Sequence, residues 1–258
     1  MLEGVQVQLL IIPLLMAPGL YFLIASYSFS PKISYNLKVL DLAVVVLGVL
    51  AMLYSSIVLK NVGISIMAFG LSIALWFYLR YYKPAEALFD NLPTLATVIG
   101  DKIRLGHSFA EAFESSLIEL ANGNRLLRRA ISLYRAGLLT FLKDFADAAE
   151  LAYEGSFSGI YDELSRIYSN LVMIRKSYQR KASTFLALAI ISPAILYYEL
   201  HTFSGIISAS LQTYGFLIGL LSFALSVLFS KAYKGTVFYF PIYLAVGLES
   251  LILSVLWA

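Results

Sequence analysis

The side chains able to do chemistry are few and scattered. The chain has no cysteine, which excludes disulfides, thiolate nucleophiles and cysteine-bound metals. Its 2 histidines, His107 and His201, fall in a capping turn and beside an apolar run, on opposite predicted sides of a membrane. They cannot share a site. The run Gly155-Ser156-Phe157-Ser158-Gly159 has the outline of a nucleophile elbow, but Phe157 stands where that motif needs serine, so it reads as a turn and helix cap. No glycine-rich phosphate loop ending in Gly-Lys-Ser/Thr occurs, which excludes ATP hydrolysis by that route. No catalytic residue, cofactor or metal is expected, and the chain reads as a non-enzyme.

Two charged features remain. Glu249 is the one acid well inside a predicted membrane span, and intramembrane carboxylates are functional candidates by default. It could relay protons or grip a partner helix; as a structural residue it would be hydrogen-bonded to Ser250, Ser254 or a polar neighbour. Arg125, Arg128 and Arg129 form a compact basic face. That face suits an acidic surface on a soluble partner, and equally a solvated face near anionic lipid.

The composition identifies what must position these groups. Sixty per cent of residues are hydrophobic and only 14% are charged, against about a quarter charged in soluble domains. A membrane helix needs roughly 20 apolar residues. Six stretches qualify: Val7–Phe29, Val39–Leu59, Val62–Tyr82, Ser183–Leu200, about Phe203–Phe229 and Val237–Trp257. The first lacks the basic leader and cleavage site of a signal peptide. Tyr78, Tyr81, Tyr82, Tyr197, Tyr198 and Trp257 crowd the span ends, as in interfacial belts. With the N-terminus outside, Lys60 alone of the 19 basic residues faces outward, so the positive-inside rule orients the chain. The expected fold is all-α: a polytopic membrane protein with a three-span region 1–82, a cytoplasmic helical bundle 83–182, and a three-span region 183–258. Both termini lie outside the cell membrane.

Within the bundle, Asn91 and Pro93 open a helix whose apolar face is Leu92, Leu95, Ala96, Ile99 and Ile103. Gly106 closes it. Ser108 and Glu111 form a capping box for the next helix, striped by Phe109, Phe113, Leu117 and Leu120 and ended by Asn122-Gly123-Asn124. From Arg125 to about Tyr153, basic residues precede acidic ones, against the helix dipole. Either two helices meet at Gly137, or the charges serve something other than local stability. After the Gly155–Gly159 turn, Ile160, Leu164, Ile167, Leu171, Ile174 and Tyr178 form a heptad seam. Nothing breaks the chain from Ile160 to Pro193, so one helix is expected to run from the bundle into the fourth span. Arg175, Lys176, Arg180 and Lys181 read as headgroup-facing charges at its membrane entry.

The stretch Leu92-Pro-Thr-Leu-Ala-Thr-Val-Ile-Gly-Asp-Lys-Ile-Arg-Leu-Gly-His-Ser-Phe-Ala-Glu-Ala-Phe-Glu-Ser115 resembles the type II secretion system F domain. That domain occurs in the membrane platform proteins of type IV pilus, Tad pilus, type II secretion and archaellum machines. Leu92, Pro93, Gly106, Ser108 and Phe109 stand at the matching positions, and a glycine turn followed by a charged helix entering the membrane also fits. The middle of the domain is shorter than usual. One such domain is present, a layout closer to the single-domain Tad-type subunits. The resemblance implies a non-enzymatic scaffold that contacts a cytoplasmic assembly ATPase and couples its cycle to extraction of pilin-like subunits. It further implies pairing with itself or a paralogue, and no nucleic-acid partner. A transporter or permease subunit using Glu249 is the alternative.

Overall fold

The computed structural model describes residues 31–34, 39–59, 62–154, 159–204 and 211–257. Among them every regular element is helical, apart from an isolated β-bridge between Ile33 and Leu139. The first predicted span, Val7–Phe29, and the Gly155–Ser158 turn lie outside the described residues. The chain divides into two units: Met1–Ser30, Leu37–Tyr78 and Tyr178–Ala258 form one, Pro31–Asn36 and Leu79–Ser177 the other.

In the first unit, α1 (Val39–Leu59), α2 (Val62–Phe77), α9 (Leu211–Lys234) and α10 (Phe240–Trp257) are all strongly apolar. Helix α2 packs against each of the other three. Met67, Phe229, Ala232, Ile242 and Val246 form a buried cluster, while α1 leaves Leu47, Tyr54 and Ile57 exposed. Close approach depends on glycine. A Cβ added to Gly219 would lie 2.1 Å from the Gly63 Cα, so only two glycines permit this crossing of α9 over α2. Serines supply the polar contacts: Ser250 Oγ lies 2.8 Å from Ser222 Oγ, and Ser55 Oγ 2.9 Å from Ser65 Oγ. Small residues and interhelical hydroxyl bonds are how helices associate where lipid removes the hydrophobic drive. Among the described residues, two helical stretches are long and apolar enough to cross a membrane, Val39–Val58 and Val62–Asp90.

The second of these stretches is interrupted by a π-helical segment, Tyr78–Tyr82, before α3 (Lys83–Asp90). Pro84 supplies the reason. It has no N–H to give the Arg80 carbonyl, and its ring would collide with that carbonyl in an uninterrupted α-helix. The wider turn relieves both problems. Tyr81 and Tyr82 are buried, contrary to the interfacial role expected for them.

The second unit is a bundle of α3, α4 (Leu92–Arg104), α5 (Phe109–Leu120), α6 (Arg125–Arg135), α7 (Thr140–Glu154) and the start of α8 (Ile160–Ser204). Leu92, Leu95, Ala96 and Ile99 of α4 are fully buried, with Leu88, Leu117, Leu142 and Phe145 beside them in the core. Local signals behave as the residue types dictate. Gly106 has φ +92°, its N–H bonds the Ile103 carbonyl, and the His107 N–H bonds that of Lys102, a complete Schellman cap. Ser108 and Glu111 form the reciprocal capping box. Asn91 departs from expectation: its Nδ2 donates to the Ala87 carbonyl at 2.8 Å, so it closes α3 instead of capping α4. Gly137, at φ +73°, separates α6 from α7, which decides for two helices over one.

Pro31–Ser34, the loop after the first predicted span, is tied into this bundle. The Ser34 N–H donates to the Leu138 carbonyl at 2.8 Å, and Thr140 Oγ1 to that of Lys32 at 3.1 Å.

Helix α8 is 45 residues long and continues through Pro193. Its predicted heptad seam is not its buried face. Tyr161, Val172 and Arg175 are buried and Tyr168 half-buried, a stripe turned about 100° from the seam by one residue of helical rotation. The heptad stripe and the buried face can differ because periodicity reports an apolar stripe without saying what covers it. Gly100 makes room for the true contact: a Cβ there would sit 2.7 Å from that of Tyr161.

Candidate functional site

The basic face is built as its spacing requires. Asn124 Oδ1 accepts from the N–H groups of Leu126 and Leu127 at 3.0 and 3.3 Å, starting α6. Leu127, Ala130 and Ile131 then turn inward, which sends Arg125, Arg128 and Arg129 to the exposed side. None of the three has an ion pair among the described residues, whereas Arg135, at the far end of α6, is paired with Glu114. Unpaired guanidiniums on one short helix face can take carboxylates or phosphates by bidentate hydrogen bonding.

A second polar arrangement was not foreseen. Arg175, expected at the headgroups with Lys176, Arg180 and Lys181, is only 3% exposed. Its guanidinium reaches Glu86 Oε1 at 2.5 Å and Asp90 Oδ1 at 3.1 Å, lies 3.5 Å from the Tyr82 hydroxyl, and stacks 5.3 Å above the Phe89 ring centre. Tyr82, Glu86, Phe89 and Asp90 follow at steps of four, three and one, so they share one face of the helix just after the π segment. Lys176, Arg180 and Lys181 remain exposed. The clue in the sequence is that Arg175 falls on the stripe with Tyr161, Tyr168 and Val172, while Glu86 and Asp90 sit one turn apart.

Aromatic hydroxyls complete the seat of α8. Tyr161 donates to the Ala149 carbonyl at 2.8 Å. Burial, with a smaller contribution from Tyr153, pushes its ionisation up to about 12. Tyr168 meets Phe145 edge-on at 5.0 Å and is likewise raised, by burial and then by Asp144. Arg104 pairs with Asp162 at 2.7 Å.

Glu249 lies in α10 near the Ala194 backbone, and its Oε2 has no hydrogen-bond partner among the described residues. Ser250, one of its expected partners, is engaged with Ser222 instead. A second acid escaped notice. Asp41, in the first turn of α1, is fully buried and accepts from Trp76 Nε1 at 2.9 Å, at the helix end whose dipole favours a negative charge. It lies in the first turn of the second predicted span, a position that reads as a helix-start acid in sequence. Glu249 and the arginine face belong to different units. No group of three or more histidine, aspartate or glutamate side chains able to hold a metal occurs among the described residues.

No protein family, curated protein or solved structure matches this chain.

Proposed function

We propose that this chain is a multi-pass scaffold of the cell membrane, a platform on which a cytoplasmic assembly ATPase acts to draw pilin-like subunits from the bilayer. In this reading six spans, three on each side, flank the bundle. Both termini are outside, the bundle is inside, and the chain catalyses nothing itself. The observation that carries the reading is α8: one 45-residue helix whose first part is charged and joins the bundle and whose later part is apolar. An unbroken helix is a stiff element, suited to passing displacement from a soluble motor to a membrane segment. Two further facts support it. Pro31–Ser34, with Lys32, belongs to the same unit as the bundle, as the loop after a first inward crossing should. The unpaired arginines of α6 offer an acidic motor surface a place to dock.

The test uses the full chain in lipid nanodiscs. Reversing Arg125, Arg128 and Arg129 together to Glu should weaken binding of the assembly ATPase at least tenfold and abolish filaments. Unchanged binding and filaments would remove the docking role. Because the chain lacks cysteine, single cysteines at Ser132 and Lys60 report sidedness directly: labelling of Ser132→Cys from outside intact cells contradicts the topology.

A second reading, a transporter subunit, is favoured by the Oε2 of Glu249, which has no partner among the described residues. It predicts that Glu249→Gln abolishes a flux the wild type sustains in proteoliposomes. Filament assembly unaffected by the same change would leave the scaffold reading in place.

A further inference from the structure

Helix α8 carries two stripes of the same period, offset by one residue. Ile160, Leu164, Ile167, Leu171 and Ile174 form the apolar one; the last three are 45%, 38% and 47% exposed and the first two half-buried. Tyr161, Ser165, Tyr168, Val172 and Arg175 form the other. Of these, Tyr161, Val172 and Arg175 are buried, and Ser165 and Tyr168 half-buried. Both stripes recur at alternating steps of four and three, so either could serve as a packing seam. One residue separates them, a turn of about 100° around the helix axis. Apolar burial is non-directional and scales with area, and by area the isoleucines and leucines are the richer face. The bundle has taken the poorer one.

Directional contacts along its length distinguish the occupied stripe. The Tyr161 hydroxyl donates to the Ala149 carbonyl of α7 at 2.8 Å. Thr97 Oγ1 of α4 lies 3.1 Å from Ser165 Oγ, and Tyr168 meets Phe145 of α7 edge-on. Arg175 spans Glu86 and Asp90 of α3. Hydrogen bonds weaken steeply when misaligned, and a guanidinium held by two carboxylates fixes direction as well as distance. We infer that Arg175 is the rotational lock of α8: its fork on Glu86 and Asp90, with the Tyr161 and Ser165 contacts, selects one of two seats about 100° apart. A buried ion pair is a poor source of net stability against apolar replacement, and fixing register is its best-attested use. Packed helices occupy discrete arrangements and do not deform continuously, so removing the lock turns α8 by one residue onto its apolar stripe. The helix is unbroken to Ser204, so the rotation fixed at Arg175 is carried along its whole length. The inference depends only on packing inside the bundle and does not rest on the platform reading.

The chain lacks cysteine, so single cysteines in the full-length protein in nanodiscs report the rotation through maleimide labelling rates. With Arg175 in place, Ile167→Cys and Leu171→Cys should label at least tenfold faster than Ser165→Cys and Val172→Cys. Arg175→Met, Glu86→Gln and Asp90→Asn together remove the lock without stranding a buried charge. In that background the order should invert, while hydrogen-exchange protection of α4 and α5 stays at the wild-type level. The charge swap Arg175→Glu with Glu86→Arg should bring the original order back. An unchanged order in the triple variant would overturn the lock, since aromatic and apolar packing would then choose the face. Fast labelling on both stripes would overturn it as well, because Arg175 would then hold α8 to the bundle without choosing its rotation. Should the triple variant lose protection of α4 and α5, Arg175→Lys decides: it keeps the charge and loses the fork. Val172→Cys should then label at least threefold faster and Ile167→Cys more slowly, and two unchanged rates would end the proposal. None of these readings involves an ATPase, so lost docking at the α6 arginines with the labelling order intact would count against the platform reading alone.

Discussion

The two units hold themselves together by different means. In the bundle, wide apolar stripes bury leucines and phenylalanines, the facing ends of α4 and α5 and the start of α6 carry caps, and several charges are paired. In the apolar unit the helices approach through glycine and bond through serine hydroxyls. In the membrane topology proposed above, the difference follows from the surroundings. Water rewards burial of apolar area and punishes open helix ends; lipid rewards neither, so close backbone approach and hydroxyl bonds decide which helix meets which. Both devices meet in the helices that belong to both units. The Val62–Asp90 stretch changes from one regime to the other at the π segment, where Pro84 forbids the ordinary hydrogen bond. In α8 the transition leaves no mark on the backbone.

Four measurements bear on this contrast. The largest effect is expected at the buried ionic node. Arg175→Met leaves Glu86 and Asp90 without their cation and should cost about 3–5 kcal/mol, read as lost hydrogen-exchange protection of α3 in nanodiscs. Wild-type protection there would show that α3 is held by apolar packing alone. Next comes Gly219→Ala, where the new methyl meets the Gly63 backbone; about 3 kcal/mol of overpacking strain should lower the thermal midpoint in detergent. If the midpoint does not move, the apolar unit does not depend on that crossing.

Tyr161→Phe tests the seat of α8 through pH. The folded hydroxyl ionises at about 12, above its ordinary value of 10.0. Its contribution is therefore complete below pH 10 and is lost as pH climbs through 12, because the unfolded chain releases the proton first. Wild type should lose about 2–3 kcal/mol over that window, and the variant should lack this loss. At neutral pH it should be only about 1 kcal/mol weaker, from the missing bond to Ala149. Identical alkaline profiles would place Tyr161 in solvent. The smallest pair sets the two units side by side: Ser108→Ala should cost about 1 kcal/mol through the lost cap, and Ser250→Ala about 0.6 kcal/mol through the lost hydroxyl bond. The reverse order would blur the contrast.

Much of the bundle was legible because its signals are local. Ser108 with Glu111, Gly106 and the Asn122–Asn124 turn act within a few residues, and the α4 stripe needs only its own period. What escaped shares one property. Arg175 finds Asp90 and Glu86 across 85 and 89 residues. Asn91 turned back to close α3 because that helix, hidden behind Pro84, continues an apolar run that looked like the end of a span. The α8 heptad stripe was legible as a period, but which face the bundle covers was not.

By itself, then, the order of residues determined the helical character, the split into an apolar and a charged part, the caps, and the exposed arginine face of α6, since each depends on neighbours within one or two turns. Only the tertiary structure decided which face of α8 is buried, that Arg175 is an internal cation and not a surface one, and that Glu249 has an oxygen without a partner among the described residues. Those outcomes are set by side chains that meet across long stretches of chain, and no period in a single helix encodes what will lie opposite it.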